Sequence, residues 1–189
     1  RLLEKAWESN DGAVQPGIAL VRYFNGKQQS LRAVSIARDL NVKHPDNPEV
    51  LNALGMSQVG AKDYHSAQAT FESLVKLAPK SPQAYLLLGQ VNKQLDDISS
   101  SRKNVKKSLS LQADFLPAQL FLAQLELQEK QPDAALAVAK KIQQQRPKEA
   151  AGYRLQGDVL MAQEKYSSAV KSYQKAYDKS PIAPLAIVI

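Results

Sequence analysis

The sequence predicts an all-α protein that stacks pairs of helices, and three observations support this prediction. Small residues recur every 34 positions, at Gly55, Gly89, Ala123 and Gly157. Apolar residues around them are spaced three and four apart, which is the spacing of one helix face. Proline stands near the end of most periods, where it stops a helix because it cannot donate an intrahelical hydrogen bond. A period of this length is typical of a chain that repeats one supersecondary unit.

The first helix of a repeat is clearest in the second period. Leu51, Leu54 and Gln58 share one helix face with Gly55. A short polar break at residues 62–64 then separates this helix from the next. We therefore expect each period to contain a helix, a turn and a second helix.

The second helix of that period carries Ala67, Phe71 and Leu74 on one face. Small residues at positions 55 and 67 allow the two helix axes to approach, and the ring of Phe71 fills the gap beside them. Pro79 ends the helix. The period of the sequence thus has a cause in side-chain packing.

Five such periods fit residues 14–183 without an insertion. Residues 1–13 are expected to be the remainder of a preceding second helix, and residues 184–189 the truncated start of another first helix. We expect the parent protein to continue with repeats on both sides, since a solenoid normally closes with a polar capping helix. The predicted units are 14–47, 48–81, 82–115, 116–149 and 150–183.

Composition excludes several classes of protein. The 189 residues contain no cysteine, which excludes disulfides, thiolate metal sites and thiol catalysis within this stretch. The longest apolar run, at 134–139, has six residues, whereas a membrane-spanning helix needs about 20. The net charge is +7, and the excess of basic residues is 2, 2, 1 and 2 in residues 1–47, 48–115, 116–149 and 150–189. Because this excess is spread evenly, it mainly favours solubility.

No catalytic or metal-binding constellation is predicted, and no cofactor is expected. His44 and His65 are 21 positions apart and are interpreted as solvated turn residues. The serines at 99–101 are expected to cap a helix start, and Asp96 and Asp97 to favour the positive end of its dipole. We therefore predict that the protein is not an enzyme.

A basic cluster is the one sign of a polyanion partner. Arg102, Lys103, Lys106 and Lys107 fall within a single predicted helix. They could contact phosphates, but no aromatic residue is interleaved among them for base stacking. A solvated outer helix face is the favoured interpretation, so nucleic-acid or acidic-polymer binding ranks last among the functions considered.

The helix pairs and their spacing resemble the tetratricopeptide repeat (TPR) family, whose pattern places Gly or Ala, Tyr, Ala, Phe, Ala and Pro at these offsets. The resemblance implies a right-handed superhelix of five helix pairs, about eleven helices in all, with ligands lying along the first helices. Positions 2, 5, 9 and 12 of each unit would then face a concave groove. In this sequence they are Arg22 and Asn25; Glu49, Asn52, Met56 and Val59; Gln83, Leu86, Gln90 and Lys93; Leu120, Gln124 and Leu127; and Arg154, Asp158 and Met161.

These positions mix apolar side chains with amides and a few charges, which suits an extended peptide or a partner helix. The main hypothesis is a non-catalytic scaffold that binds a peptide or helix of another protein. The alternative is a self-assembling array joined through apolar ends such as Leu185–Ile189. Capture of a terminal carboxylate is disfavoured, because only Arg22 is basic at the places where the family's clamp uses Lys and Asn.

A second resemblance concerns compartment. The segments 84–90, 115–118 and 151–158 are similar to those of bacterial TPR lipoproteins associated with exopolysaccharide production and the PEP-CTERM sorting system. This similarity implies a lipid anchor outside the present stretch. It favours the periplasm or cell envelope over the cytoplasm.

Overall fold

The structure is a computed structural model that describes Trp7 and residues 12–180. This part contains ten α-helices and no strand, so the all-α prediction is confirmed. The expected truncated helix at 184–189 lies outside the described residues, as does most of the expected remnant at 1–13. The helices are α1 (Val14–Gly26), α2 (Ser30–Lys43), α3 (Pro48–Gly60), α4 (Tyr64–Leu77), α5 (Pro82–Gln94), α6 (Ile98–Leu111), α7 (Leu116–Gln128), α8 (Pro132–Gln145), α9 (Ala151–Ala162) and α10 (Tyr166–Lys179).

The chain forms two compact units. The first unit, residues 1–111, holds α1 to α6, and each of these helices packs on the next. In addition, α1 packs on α3. The second unit, residues 112–189, holds α7 to α10, which pack in the same consecutive way, with a smaller contact between α7 and α9. Sequential packing of this kind is what a helix-pair repeat requires.

In the α3–α4 and α9–α10 pairs, close approach depends on glycine facing an aromatic ring. A Cβ atom placed on Gly55 would lie 2.4 Å from the ring of Phe71, and one on Gly157 would lie 2.5 Å from the ring of Tyr173. Phe71 is completely buried. The packing role predicted for the small residues is therefore confirmed, and it holds in both units.

Every turn within a helix pair has the same backbone conformation. One residue of each turn has a positive φ of 56° to 60°, although none of the five is glycine. The next N–H closes the preceding helix by bonding to a carbonyl five residues back, as in the 2.9 Å bond from Asp63 N–H to the Gln58 oxygen. These residues again lie 34 apart: Gln28, Lys62, Asp96, Lys130 and Glu164.

Aspartate, not serine, caps α6. The carboxylate of Asp97 accepts a 2.9 Å hydrogen bond from the Ser100 N–H, and hydrogen bonding from Ser100 lowers the pKa of Asp97. The helix begins at Ile98, so the serines lie inside it, and Ser101 is buried. The expectation that these serines cap the helix is wrong, because the short carboxylate just before Ile98 already satisfies the free N–H group.

Each unit has its own apolar core. In the first unit, one cluster of buried side chains surrounds Val21 and Leu40, and another surrounds Phe71. In the second unit, the cluster surrounds Ala139 and Ile142. These cores hold the first helices in place and leave part of each first helix for solvent or a partner.

Candidate functional site

A cleft lies between α1 and α3 in the first unit. Its volume is about 360 Å³. Ile18, Val21 and Ala53 are buried and form an apolar floor. The remaining lining residues are Arg22, Asn25, Glu49, Asn52 and Met56, all of which the family resemblance placed on groove-facing positions.

Helix periodicity explains why these side chains meet. The lining residues of α1 occupy positions 18, 21, 22 and 25, and those of α3 occupy 49, 52, 53 and 56. Both sets follow the same steps of three, one and three, which place the four side chains on one helix face. Because α1 packs on α3, the two faces border a common cleft.

A short hydrogen-bond chain fixes one wall of the cleft. The Asn25 side chain donates from Nδ2 to Ser57 Oγ at 2.9 Å, and Ser57 Oγ donates to the Ala53 carbonyl at 2.8 Å. Ser57 is completely buried. This pair of hydrogen bonds links α1 to α3 and holds the Asn25 amide in one orientation. Ser57 was not predicted from the sequence, because its side chain points between the helices and not into the groove.

The two charged residues of the cleft differ in their surroundings. The Glu49 carboxylate accepts a 2.9 Å hydrogen bond from Gln15 Nε2. The Arg22 side chain is exposed, and among the described residues it has no hydrogen bond or ion pair. The guanidinium group of Arg22 is therefore available to a ligand.

The remaining predicted residues of the first unit do not join this cleft. Val59 is half-buried and packs against the core cluster around Phe71. Gln90 is exposed, and Lys93 is half-buried. Leu86 is only 2% exposed, so the expectation that it lines an open groove is wrong. The position of Leu86 within the repeat does not reveal that other protein atoms cover its side chain.

In the second unit, the predicted residues separate into two groups. Leu120 and Leu127 are half-buried and pack against the core around Ile142. Gln124, Arg154 and Asp158 are exposed.

Asp158 is engaged with a neighbouring helix. Its carboxylate accepts a 2.8 Å hydrogen bond from the Tyr173 hydroxyl. Burial raises the pKa of Tyr173 to about 12, with further contributions from this hydrogen bond and from the charge of Asp158. This hydrogen bond therefore links α9 to α10.

The two histidines differ in their environments. His44 Nε2 lies 2.7 Å from the Gly12 carbonyl oxygen and is half-buried, so the interpretation of His44 as a solvated residue is wrong. His65 is exposed in the first turn of α4. Over residues 12–180 and Trp7, no three His, Asp or Glu side chains cluster in a way that could hold a metal ion.

A second cavity, of about 300 Å³, lies beside α2. This cavity was not predicted from the sequence, because it lies on a second helix of a pair. Leu31 is 79% exposed at this cavity, and Asp63 caps α4 by accepting from the Ser66 N–H at 3.3 Å. Its lining residues are Leu31, Val34, Ser35, Arg38, Asp39, Ala61 and Asp63.

The α1–α3 cleft has the chemical composition that a ligand-binding surface needs. It combines an apolar floor with amide, guanidinium and carboxylate groups at the rim. Such a combination can bury an apolar side chain of a ligand and orient its polar groups.

None of the helices in the described part is both long and apolar enough to cross a membrane.

Comparison with known proteins identifies the architecture. A family profile described as a tetratricopeptide repeat-like domain matches residues 49–184. No curated protein matches the sequence.

Several solved structures share the fold. YrrB, described as a TPR protein with an unusual peptide-binding site, has 19% identity and a TM-score of 0.62, covering 96% of this chain and 94% of its own. A tetratricopeptide repeat protein from Parabacteroides merdae ATCC 43184 has 16% identity and a TM-score of 0.78, covering 94% of this chain and 71% of its own. A structure of MamA has 20% identity and a TM-score of 0.69, covering 85% of this chain and 94% of its own. At this level of identity the likeness concerns the fold. The profile match extends over most of the sequence, and the chain belongs to the tetratricopeptide repeat-like family.

Proposed function

We propose that this protein is a non-catalytic interaction scaffold that captures a peptide or helix of a partner protein in the α1–α3 cleft. One observation carries the proposal: Arg22, Asn52 and Met56, which the family resemblance placed on groove-facing positions, border a single cleft with an apolar floor. Members of this family generally act as interaction scaffolds, and YrrB is described as having a peptide-binding site.

The size and chemistry of the cleft support a peptide ligand. Ligand pockets usually have volumes of about 300–1,000 Å³, and this cleft is at the lower end of that range. The buried floor can receive an apolar side chain. The Asn52 amide can hydrogen-bond to a peptide backbone. On the opposite wall, the hydrogen bond from Asn25 to Ser57 keeps the side chain rigid.

A peptide selection tests the proposal. Peptides are selected from a random library on the immobilised wild-type chain, and their affinities are then measured for Met56→Asp. We expect the variant to bind at least about tenfold more weakly, because a carboxylate would replace an apolar contact.

Leu77→Asp is the matched control, since Leu77 is 40% exposed and Met56 is 45% exposed, both in the first unit. Leu77 ends α4 and is outside the cleft. Unchanged affinity for Met56→Asp, or an equal loss in both variants, would contradict peptide capture in the cleft.

Self-association is the second candidate function, and α10 supports it. Tyr166, Val170 and Tyr177 are 58%, 55% and 44% exposed on this helix. We propose that two copies would join through this apolar stripe. Light scattering on the wild type and on Val170→Asp tests the idea: a larger species that the substitution dissociates would support it, and a monomer in both samples would refute it.

A bacterial envelope role in exopolysaccharide assembly, with a lipoprotein parent, rests on the sequence resemblance alone. Recovery of the endogenous protein with the membrane fraction would support this role, whereas recovery with the cytosol would oppose it. Binding of nucleic acid or another acidic polymer through α6 is the least favoured function. A binding constant that does not change with salt concentration would dismiss it.

A further inference from the structure

Arg22 gives the cleft a preference for one kind of ligand. Its guanidinium group has no hydrogen bond or ion pair in the described part of the chain, and no other basic side chain lines the cleft there. A guanidinium presents a planar set of donors that matches a carboxylate with two parallel hydrogen bonds. A single cation suits a single carboxylate better than a polyanion, which needs several.

The cleft's own carboxylate does not neutralise Arg22. Glu49 is held by Gln15, which stands one repeat period before it. Gln15 and Arg22 are seven residues apart on α1, so a rise of 1.5 Å per residue separates their levels by about 10 Å. Glu49 therefore disfavours acidic groups at its own end of the cleft, while Arg22 attracts them at the other end.

Met56 supplies the apolar partner of Arg22. These two residues are also one period apart, so they occupy equivalent places on α1 and α3. Met56 is 45% exposed and lies next to the buried floor residue Ala53. A flexible thioether side chain adapts well to an apolar group of a ligand.

The packing of α1 on α3 sets the distance between these two contacts. Packed helix axes lie about 8–10 Å apart, and an extended chain advances about 3.3 Å per residue. A peptide crossing from α1 to α3 therefore meets Met56 about three residues after it meets Arg22.

We infer that the cleft recognises an extended acidic–apolar segment, in which an Asp or Glu carboxylate pairs with Arg22 and an apolar side chain about three residues away packs on Met56. This inference rests on the proposed function and narrows it to one class of partner sequence. Peptides whose only charge is positive are disfavoured, because they would bring a cation to Arg22.

Synthetic peptides test the inference on the full chain. The probes are fluorescent Gly/Ser peptides, blocked at both ends, that carry one Leu and, about three residues away, Glu, Gln or Lys. We expect wild type to bind the Glu peptide about tenfold more tightly than the Gln peptide in fluorescence polarisation. Shorter and longer spacings between Glu and Leu should bind more weakly.

Charge reversal provides the sharper comparison. Compared with wild type, Arg22→Glu should bind the Glu peptide about tenfold more weakly and the Lys peptide about tenfold more tightly. Lys80→Glu makes the same change in charge in the turn between α4 and α5, outside the cleft, and should leave both affinities unchanged. A Lys peptide that binds Arg22→Glu no better than wild type would overturn the inference.

The inference and the proposed function fail in different ways. If the Glu and Gln peptides bind wild type equally and Met56→Asp weakens both, the acidic–apolar class is wrong but peptide capture stands. If no probe binds and library selection also returns no cleft-dependent peptide, both are wrong.

Discussion

At the residue scale, contacts of glycine with aromatic rings determine how closely the helices approach in the α3–α4 and α9–α10 pairs. Gly55 faces Phe71 in the first unit, and Gly157 faces Tyr173 in the second. Both aromatic residues lie sixteen positions after their glycine, so the contact repeats with the sequence. Recurrence of small residues in the sequence was therefore enough to predict which side chains pack together.

Substitution of Gly55 by alanine tests this contact. The added methyl group would lie 2.4 Å from the Phe71 ring, so we expect Gly55→Ala to lower the free energy of unfolding by about 2 kcal/mol. Gly26→Ala is the control, because nothing lies within 4 Å of its added methyl group. For Gly26→Ala we expect the free energy of unfolding to rise by about 0.5 kcal/mol, because alanine makes the unfolded chain stiffer. Urea denaturation followed by circular dichroism measures both, and equal effects would contradict the packing account.

Ionisation of Tyr173 gives a second prediction at this scale. Its pKa is raised from 10.0 to about 12 in the folded chain, chiefly by burial and then by Asp158. A raised pKa means that the native state keeps a proton that the unfolded state loses. This stabilising contribution is complete below about pH 10 and is lost as the pH rises toward 12.

Ultraviolet absorbance of ionised tyrosine measures this pKa directly. Wild type should show a tyrosine that ionises near pH 12, and Tyr173→Phe should lack it. The variant should also lose less stability than wild type over this range of pH. A late ionisation that persists in Tyr173→Phe would show that another residue causes it.

At the element scale, the turns of the five helix pairs are the feature that the sequence did not reveal. Each turn places a residue other than glycine at a positive φ, as Lys62 and Lys130 do at 60° and 56°. Glycine is the usual sign of such a conformation, and its absence left no signal in composition. The conformation recurs because the backbone bond that closes each first helix requires it.

Glycine at a turn and glycine within a helix should have opposite effects. Lys62→Gly removes the steric cost of a positive φ, so we expect the free energy of unfolding to rise by about 0.5–1 kcal/mol. Lys106→Gly places the same residue in the exposed interior of α6 and should lower it by about 1 kcal/mol. Both values come from urea denaturation. A loss of stability in both variants would contradict the turn geometry.

At the scale of the whole molecule, the 34-residue period was sufficient to predict an all-α chain of stacked helix pairs. It gave the number and order of the helix pairs, because small side chains, aromatic rings and prolines recur together. Division of the chain into five equal units stays a prediction. The structure itself separates residues 1–111 from residues 112–189 as two compact units.

The candidate site could be predicted only in part. Arg22 and Met56 were found because the family resemblance implies which places on the first helices face the groove. Leu86 occupies such a place as well but is buried, and burial depends on neighbours that a register does not identify. Ser57 was missed for the converse reason, since its role is to link α1 with α3 and not to face solvent.

The central claim, that the α1–α3 cleft receives the partner, is tested most directly by nuclear magnetic resonance of the labelled full chain during titration with the Glu–Leu peptide. The account predicts that the largest shifts occur at Arg22, Asn52 and Met56 and saturate together. Shifts concentrated on α2 and α4, shifts confined to the second unit, or no shifts at concentrations that saturate binding would contradict it.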